Sequence, residues 1–237
     1  MPFEIHRDRE RGHVEHGWLK TAHSFSFAHY VNPDRMNFGA LLVLNEDTIQ
    51  PGQGFGEHFH DNMEIVTIPL SGALAHADSM GNGSVIRAGD IQIMSAGTGI
   101  MHSERNPSDT EPVHLLQIWI IPRRRHLPTR YEEKTFDAVQ FANTFSPVVT
   151  PVPSPDSLII HQDAWFNLGR FDAKRPFEIA PHEPSHGIFL FVISGTVQVQ
   201  GEALSAGDGI ACRDETRISG ETIEPTQLLA IEVPMEA

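Results

Sequence analysis

The sequence has little cysteine and little positive charge, and each shortage excludes a class of protein. Cys212 is its one cysteine, so no disulfide can form within the chain, which fits a reducing compartment. Asp and Glu number 31 against 17 Lys and Arg, which gives a net charge of -14. A surface this acidic repels phosphate backbones, so we expect no direct nucleic-acid binding.

The sequence also lacks the apolar segments that serve export and membrane insertion. Residues 1–20 are charged throughout and contain no apolar stretch of the kind found in secretory signals. No run approaches the roughly 18 consecutive apolar residues of a spanning helix. With 40% hydrophobic residues the chain can nevertheless bury a core. We therefore expect a folded cytoplasmic protein with no membrane association.

Short apolar runs separated by Gly, Pro, Asn and Asp dominate what is present. Residues 40–47, 63–74, 84–97 and 113–122 are rich in β-branched or aromatic side chains and are bounded by turn residues, as strands are. Residues 137–145 are the best candidate for a helix. Many short strands with frequent turns predict an all-β barrel or sandwich.

The two halves of the chain share turn signals in the same order. Ser71-Gly72 and Gly89-Asp90 in the first half correspond to Ser194-Gly195 and Gly207-Asp208 in the second. In each half a strand ends at Ser-Gly, a hairpin follows, and a second strand ends at Gly-Asp. This repetition predicts a duplicated small barrel.

A proline-rich stretch, residues 146–157, separates the two halves, and prolines resist pairing in a sheet. The predicted units are therefore residues 1–135, a boundary segment of residues 136–157, and residues 158–237.

Two pairs of residues have the spacing of metal ligands on strands. His58 and His60 are separated by one residue, as are His102 and Glu104, and both pairs follow glycine-rich turns. Residues i and i+2 of a strand point to the same face, whereas on a helix they lie about 200° apart. On neighbouring strands the pairs would offer three imidazoles and one carboxylate, a donor set that suits Fe, Ni, Cu, Zn or Mn. Glu64 has the same parity as His58 and His60, so strand geometry alone leaves either Glu64 or Glu104 as the fourth ligand.

The remaining histidines and the tryptophans have a simpler interpretation. The chain has 14 His, and isolated ones such as His76 are expected at the surface or in ordinary hydrogen bonds. Trp18, Trp119 and Trp165 are expected to pack in the core or between the barrels. Imidazole ligands must be neutral, so we expect metal affinity to weaken below pH ~6.5.

The spacing of two sets of residues resembles the two motifs of the cupin fold. These residues are Gly52, His58, His60 and Glu64 in the first set, and Gly89, His102 and Asn106 in the second. The sequence departs from the common pattern by one extra residue before Gly72, by Ser95 in place of a proline, and by an insertion before His102. Together with residues 16–30, 54–65 and 93–104, these departures resemble the pirin family of bicupins.

The resemblance implies two tandem cupin barrels of the jelly-roll type, with one metal in the first barrel. The metal in this family is usually Fe(II), with Ni, Cu, Zn, Mn or Co as alternatives. The ligands carried over are His58, His60, His102 and Glu104, which leaves Glu64 as a pocket residue. The second barrel is expected to be degenerate and without metal, because the positions that correspond to His58, His60 and His102 are Pro181, Glu183 and Gly220.

The resemblance also implies an activity, because bacterial pirin-like proteins are associated with quercetin 2,3-dioxygenase activity. The substrates would be a flavonol or similar aromatic enol and O2, with Glu104 or Glu64 as the base. One alternative is a non-enzymatic redox or metal sensor that acts through protein partners. Another is a cupin enzyme of different chemistry, since one fold hosts many reactions. We expect a monomer, because the second barrel can take the place of a dimer partner.

Overall fold

The computed structural model describes residues 3–213 and 217–236, and strands make up most of them. The strands, in chain order, are β1 (Phe3–His6), β2 (Gly12–Glu15), β3 (Leu19–His23), β4 (Leu41–Ile49), β5 (Gly54–His60), β6 (Glu64–Ser71), β7 (Ala73–Asp78), β8 (Gly83–Arg87), β9 (Asp90–Ser95), β10 (Ile100–Arg105), β11 (Val113–Ile120), β12 (Arg130–Thr135), β13 (Phe145–Thr150), β14 (Leu158–Ile159), β15 (Trp165–Phe171), β16 (Pro176–Ile179), β17 (His186–Ser194), β18 (Thr196–Val199), β19 (Glu202–Ser205), β20 (Gly209–Cys212), β21 (Ile218–Thr222) and β22 (Thr226–Pro234). The helical segments described are two short 3₁₀ helices, Asp8–Glu10 and Ala138–Phe141. The all-β prediction is confirmed.

The strands form two barrels, each built from a large sheet and a small one. In the first barrel the large sheet has the order β12-β9-β6-β11-β4-β3-β2 and the small sheet β5-β10-β7-β8. In the second barrel the large sheet has the order β1-β20-β17-β22-β15-β13-β14 and the small sheet β16-β21-β18-β19. The predicted pair of tandem barrels is therefore confirmed.

The large sheets of the two barrels pack against each other, and this explains why their central strands are apolar on both faces. In β17, Leu190 and Val192 pack inside the second barrel, while the alternating residues Phe189 and Phe191 belong to a core shared with the first barrel. Successive side chains of a strand point to opposite faces, so a sheet covered on both sides reads as a continuous apolar run.

The repeated turn signals occupy equivalent places in the two barrels. Ser71 ends β6 and Ser194 ends β17, and the glycines that follow have φ of 74° and 83°. The left-handed backbone region favours glycine, so both hairpins need it there. In the later turns Asp90 accepts a hydrogen bond from the backbone N–H of Arg87 at 2.8 Å, and Asp208 accepts one from Ser205 at 3.0 Å.

Strand pairing crosses the predicted unit boundaries at two places. β1 pairs with β20, so the start of the chain adds a strand to the large sheet of the second barrel. β13 lies in the predicted boundary segment but pairs with β15 of the second barrel. The division into residues 1–135, 136–157 and 158–237 stays a prediction about units of the chain.

The predicted helix at residues 137–145 is represented by the 3₁₀ helix Ala138–Phe141. The side chain of Asp137 caps it by accepting a hydrogen bond from the N–H of Val139. Among the described residues, no helix has the length and apolar character needed to cross a membrane.

Candidate metal centre

Three histidines converge inside the first barrel, from adjacent strands of its small sheet. β5 and β10 are antiparallel, and His102 lies directly opposite His58. The ring centroids are 4.3 Å apart for His58 and His102, 4.8 Å for His58 and His60, and 4.9 Å for His60 and His102. Phe59, between the first two, is 59% exposed on the outer face. The alternation of a strand therefore brings the predicted histidines together.

The nitrogen atoms of these rings are arranged to bind a metal. One ring nitrogen from each of the three histidines lies within 4.8 Å of the other two. The Nδ1 of His58 is 2.8 Å from the carbonyl oxygen of Gly56, which only accepts, so Nδ1 carries the proton and Nε2 keeps a lone pair. Both ring nitrogens of the buried His102 have no hydrogen-bond partner among the described residues. Unpartnered buried imidazole nitrogens fit a metal site.

Glu104 adds a buried carboxyl group next to His102. The register of β10 against β5 shifts between these residues, so that Glu104 lies opposite Phe55. Its two carboxyl oxygens accept hydrogen bonds from Nε2 of Gln117, at 3.1 and 2.9 Å. Burial raises the pKa of Glu104 to about 7. Near neutral pH this group can therefore exchange a proton.

Burial also keeps two of the imidazoles neutral. Desolvation, and then the neighbouring histidines, lower the pKa of His60 to about 4 and that of His102 to about 3. These rings therefore stay available as ligands well below pH 6.5. The expected loss of metal affinity below pH ~6.5 stays a prediction, to which these two rings do not contribute. Imidazoles together with a carboxylate are donors that suit a transition metal.

Glu64 is not part of this cluster, and the parity argument that included it was wrong. Residues 61–63 turn a corner from β5 in the small sheet to β6 in the large sheet, with Asn62 at φ 48°. Parity holds only along one continuous strand. The buried carboxylate of Glu64 accepts hydrogen bonds from Oγ of Ser95 at 2.9 Å and from the backbone N–H of His161 at 3.1 Å.

A partly open cavity of about 180 Å³ lies over the cluster. Its walls are aromatic or apolar on one side and polar on the other. The lining residues are Phe27, Asn45, Asp47, Phe55, His58, His60, Ile65, His102, Glu104, Gln117 and Trp119. Glu64 is not among them, so it does not reach the place where a substrate would bind.

Three residues that shape this site were not identified from the sequence. His76 is buried, lies opposite Glu104 on β7, and stacks on Tyr131 with 4.7 Å between ring centroids. With His102 and Glu104 it forms a second group of potential ligands. Trp119 packs against a buried cluster that includes Ile65, as expected, but it also lines the cavity, with 4.9 Å between its ring centroid and that of His60.

Asp47 is the third of these residues, a second buried carboxyl group in the cavity wall. Burial raises its pKa to about 6. The sequence signal for it was a group of polar residues, among them Asn45 and Asp47, that follows an apolar run in β4. This pattern indicates a site residue only when the residues on the opposite wall of the cavity are known.

Comparison with known proteins places the chain in a family. Residues 4–120 match the family Pirin, and residues 147–233 match a family described as a quercetinase C-terminal cupin domain. The chain is 44% identical over 234 residues to a quercetin 2,3-dioxygenase of Escherichia coli K12, covering 97% of this chain and 98% of that protein. It is 39% identical over 223 residues to a putative quercetin 2,3-dioxygenase of Pseudomonas aeruginosa, covering 94% and 95%.

Solved structures agree with this placement. The crystal structure of YhhW from Escherichia coli superposes with a TM-score of 0.94 at 42% identity, covering 98% of this chain and 97% of that chain. A structure of the same bacterial pirin in complex with nickel(II) gives a TM-score of 0.92 at 40% identity, covering 98% and 99%. With identity at this level along nearly the whole length of both chains, the chain belongs to the pirin family.

Proposed function

We propose that this protein is a metal-dependent dioxygenase that opens the heterocycle of a flavonol such as quercetin with O2. The observation that carries the proposal is the cluster of three inward-facing histidines, with Glu104 next to His102, beneath a cavity with aromatic walls. The related Escherichia coli protein is named a quercetin 2,3-dioxygenase, and this supports the choice of reaction.

We propose His58, His60, His102 and Glu104 as the ligands of one divalent metal. Iron(II) is our first choice, with Ni, Cu, Zn, Mn or Co as alternatives, and the nickel(II) complex of a related pirin supports a site of this kind. A metal held there supplies a Lewis acid that lowers the pKa of a substrate hydroxyl.

Glu104 is the candidate base, and two neighbours orient it. Thr67 donates a hydrogen bond from Oγ1 to Oε1 of Gln117 at 2.8 Å, so the amide NH₂ of Gln117 must point to Glu104. The carboxylate held in this way lies beside His102 and borders the cavity, where it can take the proton of a substrate hydroxyl. Glu64 is not proposed as a base, because its carboxylate lies outside the cavity.

The aromatic wall has a role in binding. Trp119 stands edge-on to Phe27, with 5.3 Å between ring centroids, and both border the cavity. Together with Ile65 they offer flat apolar surface against which a planar aromatic substrate can pack. We place this activity in a cytoplasmic protein. We propose that it is a monomer, because the second barrel already covers the large sheet of the first.

The proposal is tested by metal analysis together with oxygen uptake on a panel of flavonols. We expect about one transition metal per chain, and uptake that depends on the flavonol. In His58→Ala both should fall at least about 100-fold. The matched control is His16→Ala, at an exposed histidine outside the cavity, which should change neither.

Two outcomes would count against the proposal. Undiminished metal content in His58→Ala would remove the ligand assignment. Full metal content without oxygen uptake on any flavonol would remove the dioxygenase and favour a metal-sensing role.

A further inference from the structure

His102 has two buried ring nitrogens, and a metal bound to this ring uses one of them. Neither nitrogen has a hydrogen-bond partner within residues 3–213 and 217–236. In a neutral imidazole, the nitrogen that does not bind the metal carries the proton. A buried N–H group without an acceptor is unfavourable, and metal-bound histidines almost always donate this group to a neighbour. We therefore expect an acceptor for His102 among the side chains that surround it.

Asp78 lies directly opposite His102 on β7, but its carboxylate is already occupied. Its Oδ1 accepts hydrogen bonds from the backbone N–H groups of Met80 at 2.9 Å and Asn82 at 3.0 Å. Its Oδ2 accepts from Nδ2 of Asn82 at 2.8 Å and from Nε2 of His76 at 3.5 Å. A carboxylate has about four lone-pair sites, so Asp78 has none left for His102.

His76 offers the acceptor that the neighbouring carboxyl groups do not. Glu104 is itself a proposed ligand, and both its oxygens accept hydrogen bonds from Gln117. The Nε2 of His76 points to the Asp78 carboxylate, which only accepts, so Nε2 carries the proton. Nδ1 of His76 then keeps a lone pair, and it is buried without a partner in the described part of the chain. This lone pair and the unpaired N–H group of His102 complement each other.

The rings of His76 and His102 lie close enough to form this bond. His76 pairs with Glu104 across β7 and β10, so it is the diagonal neighbour of His102. The two ring centroids are 5.2 Å apart, and one nitrogen of each ring lies within 4.8 Å of the other. Tyr131 stacks on His76 with 24° between the ring planes, and Asp78 holds its Nε2. The ring of His76 is therefore held on its face and at one edge.

We propose that His76 is a positioning residue of the metal centre, whose Nδ1 accepts a hydrogen bond from the N–H group of His102 that faces away from the metal. Asp78, His76 and His102 then form a chain from a buried carboxylate to a metal-binding ring. Such a chain fixes the orientation of the ring and makes it a stronger donor to the metal. The inference rests on the proposed function, because it takes His102 as a ligand.

Nuclear magnetic resonance of the zinc-loaded protein tests the hydrogen bond directly. Zinc has a filled d shell, so the signals of its ligands stay sharp. With ¹⁵N-labelled histidine we expect a slowly exchanging N–H proton on His102 and a scalar coupling across the hydrogen bond to Nδ1 of His76. The experiment uses the wild-type protein, so it does not depend on how well any variant folds.

Variants at His76 separate hydrogen bonding from packing. His76→Phe keeps a ring against Tyr131 but has no acceptor, so the affinity for zinc should fall about 10–100-fold. His76→Asn gives up the stacking but offers an oxygen near the position of Nδ1, so it should regain at least about 5-fold of this loss. His16→Phe, at an exposed histidine, is the matched control and should bind zinc as the wild type does. Competition with a chromophoric chelator measures these affinities.

Three results would overturn the inference. The first is the absence of a coupling between the two rings in the zinc-loaded wild type. The second is a chemical shift of metal-bound imidazole at Nδ1 of His76, which would make His76 a ligand. The third is wild-type affinity in His76→Phe together with weak binding by His76→Asn, which would reduce the role of His76 to packing.

Failure of the proposed function would look different. If His102 were not a ligand, neither of its nitrogens would show the shift of metal-bound imidazole. If the protein were not a dioxygenase, oxygen uptake would be absent while the coupling between His76 and His102 persisted.

Discussion

The two barrels share their turns and strand order but differ in what their mouths contain. Trp119 pairs with Ile65, six residues before the end of β6, and Glu232 pairs with Ile188, six residues before the end of β17. Trp119 and Glu232 are therefore equivalent positions. One carries an aromatic wall of an open cavity, and the other carries a buried carboxylate.

In the second barrel this carboxylate binds the segment that precedes β17. Glu232 accepts hydrogen bonds from the backbone N–H of His182 at 2.7 Å, from its Nδ1 at 2.6 Å, and from Nδ1 of His186 at 2.9 Å. Trp165 stacks on His182, with 4.3 Å between centroids and 10° between planes. Histidines and an acidic residue are thus present in both barrels. In the second barrel they are hydrogen-bonded to one another.

The comparison shows that residue types alone do not identify a binding site. The cluster at Glu232 is closed by its own hydrogen bonds and stabilises a loop. The cluster at His102 leaves buried nitrogens without partners, so a ligand can still be bound there. The distinguishing feature is the state of hydrogen-bond satisfaction, which depends on the tertiary structure.

The largest difference between the barrels is expected when one histidine is removed from each of them. We expect His102→Ala to lower metal affinity at least about 1000-fold, because His102 belongs to both groups of potential ligands. His182→Ala should leave the metal content unchanged. Metal content is measured after dialysis against a chelator, and the reverse pattern would show that the second barrel holds the metal.

Removing the central acid of the second barrel should affect stability instead of metal binding. Glu232→Ala leaves three buried or half-buried donors without an acceptor, which we expect to lower the free energy of unfolding by about 3–5 kcal/mol. Urea denaturation measures this change, and Glu232→Gln should lose less. An unchanged unfolding midpoint in Glu232→Ala would mean that the loop is held by other contacts.

A third variant makes the first barrel resemble the second at one position. Gln117 pairs with Asn45 and corresponds to Ala230, which pairs with Asn167. Gln117→Ala removes both hydrogen bonds to Glu104, so metal affinity should fall about 10–100-fold without loss of fold. Competition with a chromophoric chelator gives the affinity. Wild-type affinity in this variant would show that Glu104 needs no orienting donor.

The smallest expected effect is the contribution of Glu104 to the pH dependence of metal binding. Its pKa of about 7 in the metal-free protein means that a metal displaces its proton below that pH, so affinity should rise about 10-fold per pH unit up to about pH 7. His60 and His102, with pKa values of about 4 and 3, contribute nothing between pH 5 and 7. Calorimetry in buffers of different ionisation enthalpy should find that Glu104→Gln releases about one proton fewer than the wild-type protein on metal binding at pH 6.

The same group affects the stability of the metal-free protein. A pKa raised from 4.5 to about 7 means that the folded state holds a proton that the unfolded state releases. Its contribution to stability is therefore complete below about pH 4.5 and is lost as the pH rises through 7. Thermal unfolding of metal-free Glu104→Gln should lack this part of the pH dependence.

The sequence by itself determined the features that depend on local geometry. The i and i+2 spacing of His58 and His60 predicted their common direction, because alternation is a property of a single strand. The paired Ser-Gly and Gly-Asp signals predicted two barrels, because a left-handed turn constrains its own residues.

Only the tertiary structure decided which groups meet and which of them remain unsatisfied. It separated Glu64 from the histidines by a corner between sheets, and it brought His76, Asp47 and Trp119 to the site from three other strands. It also closed the second barrel around Glu232. The physical reason is that strand register and sheet packing join residues distant in sequence, and no local periodicity encodes those distances.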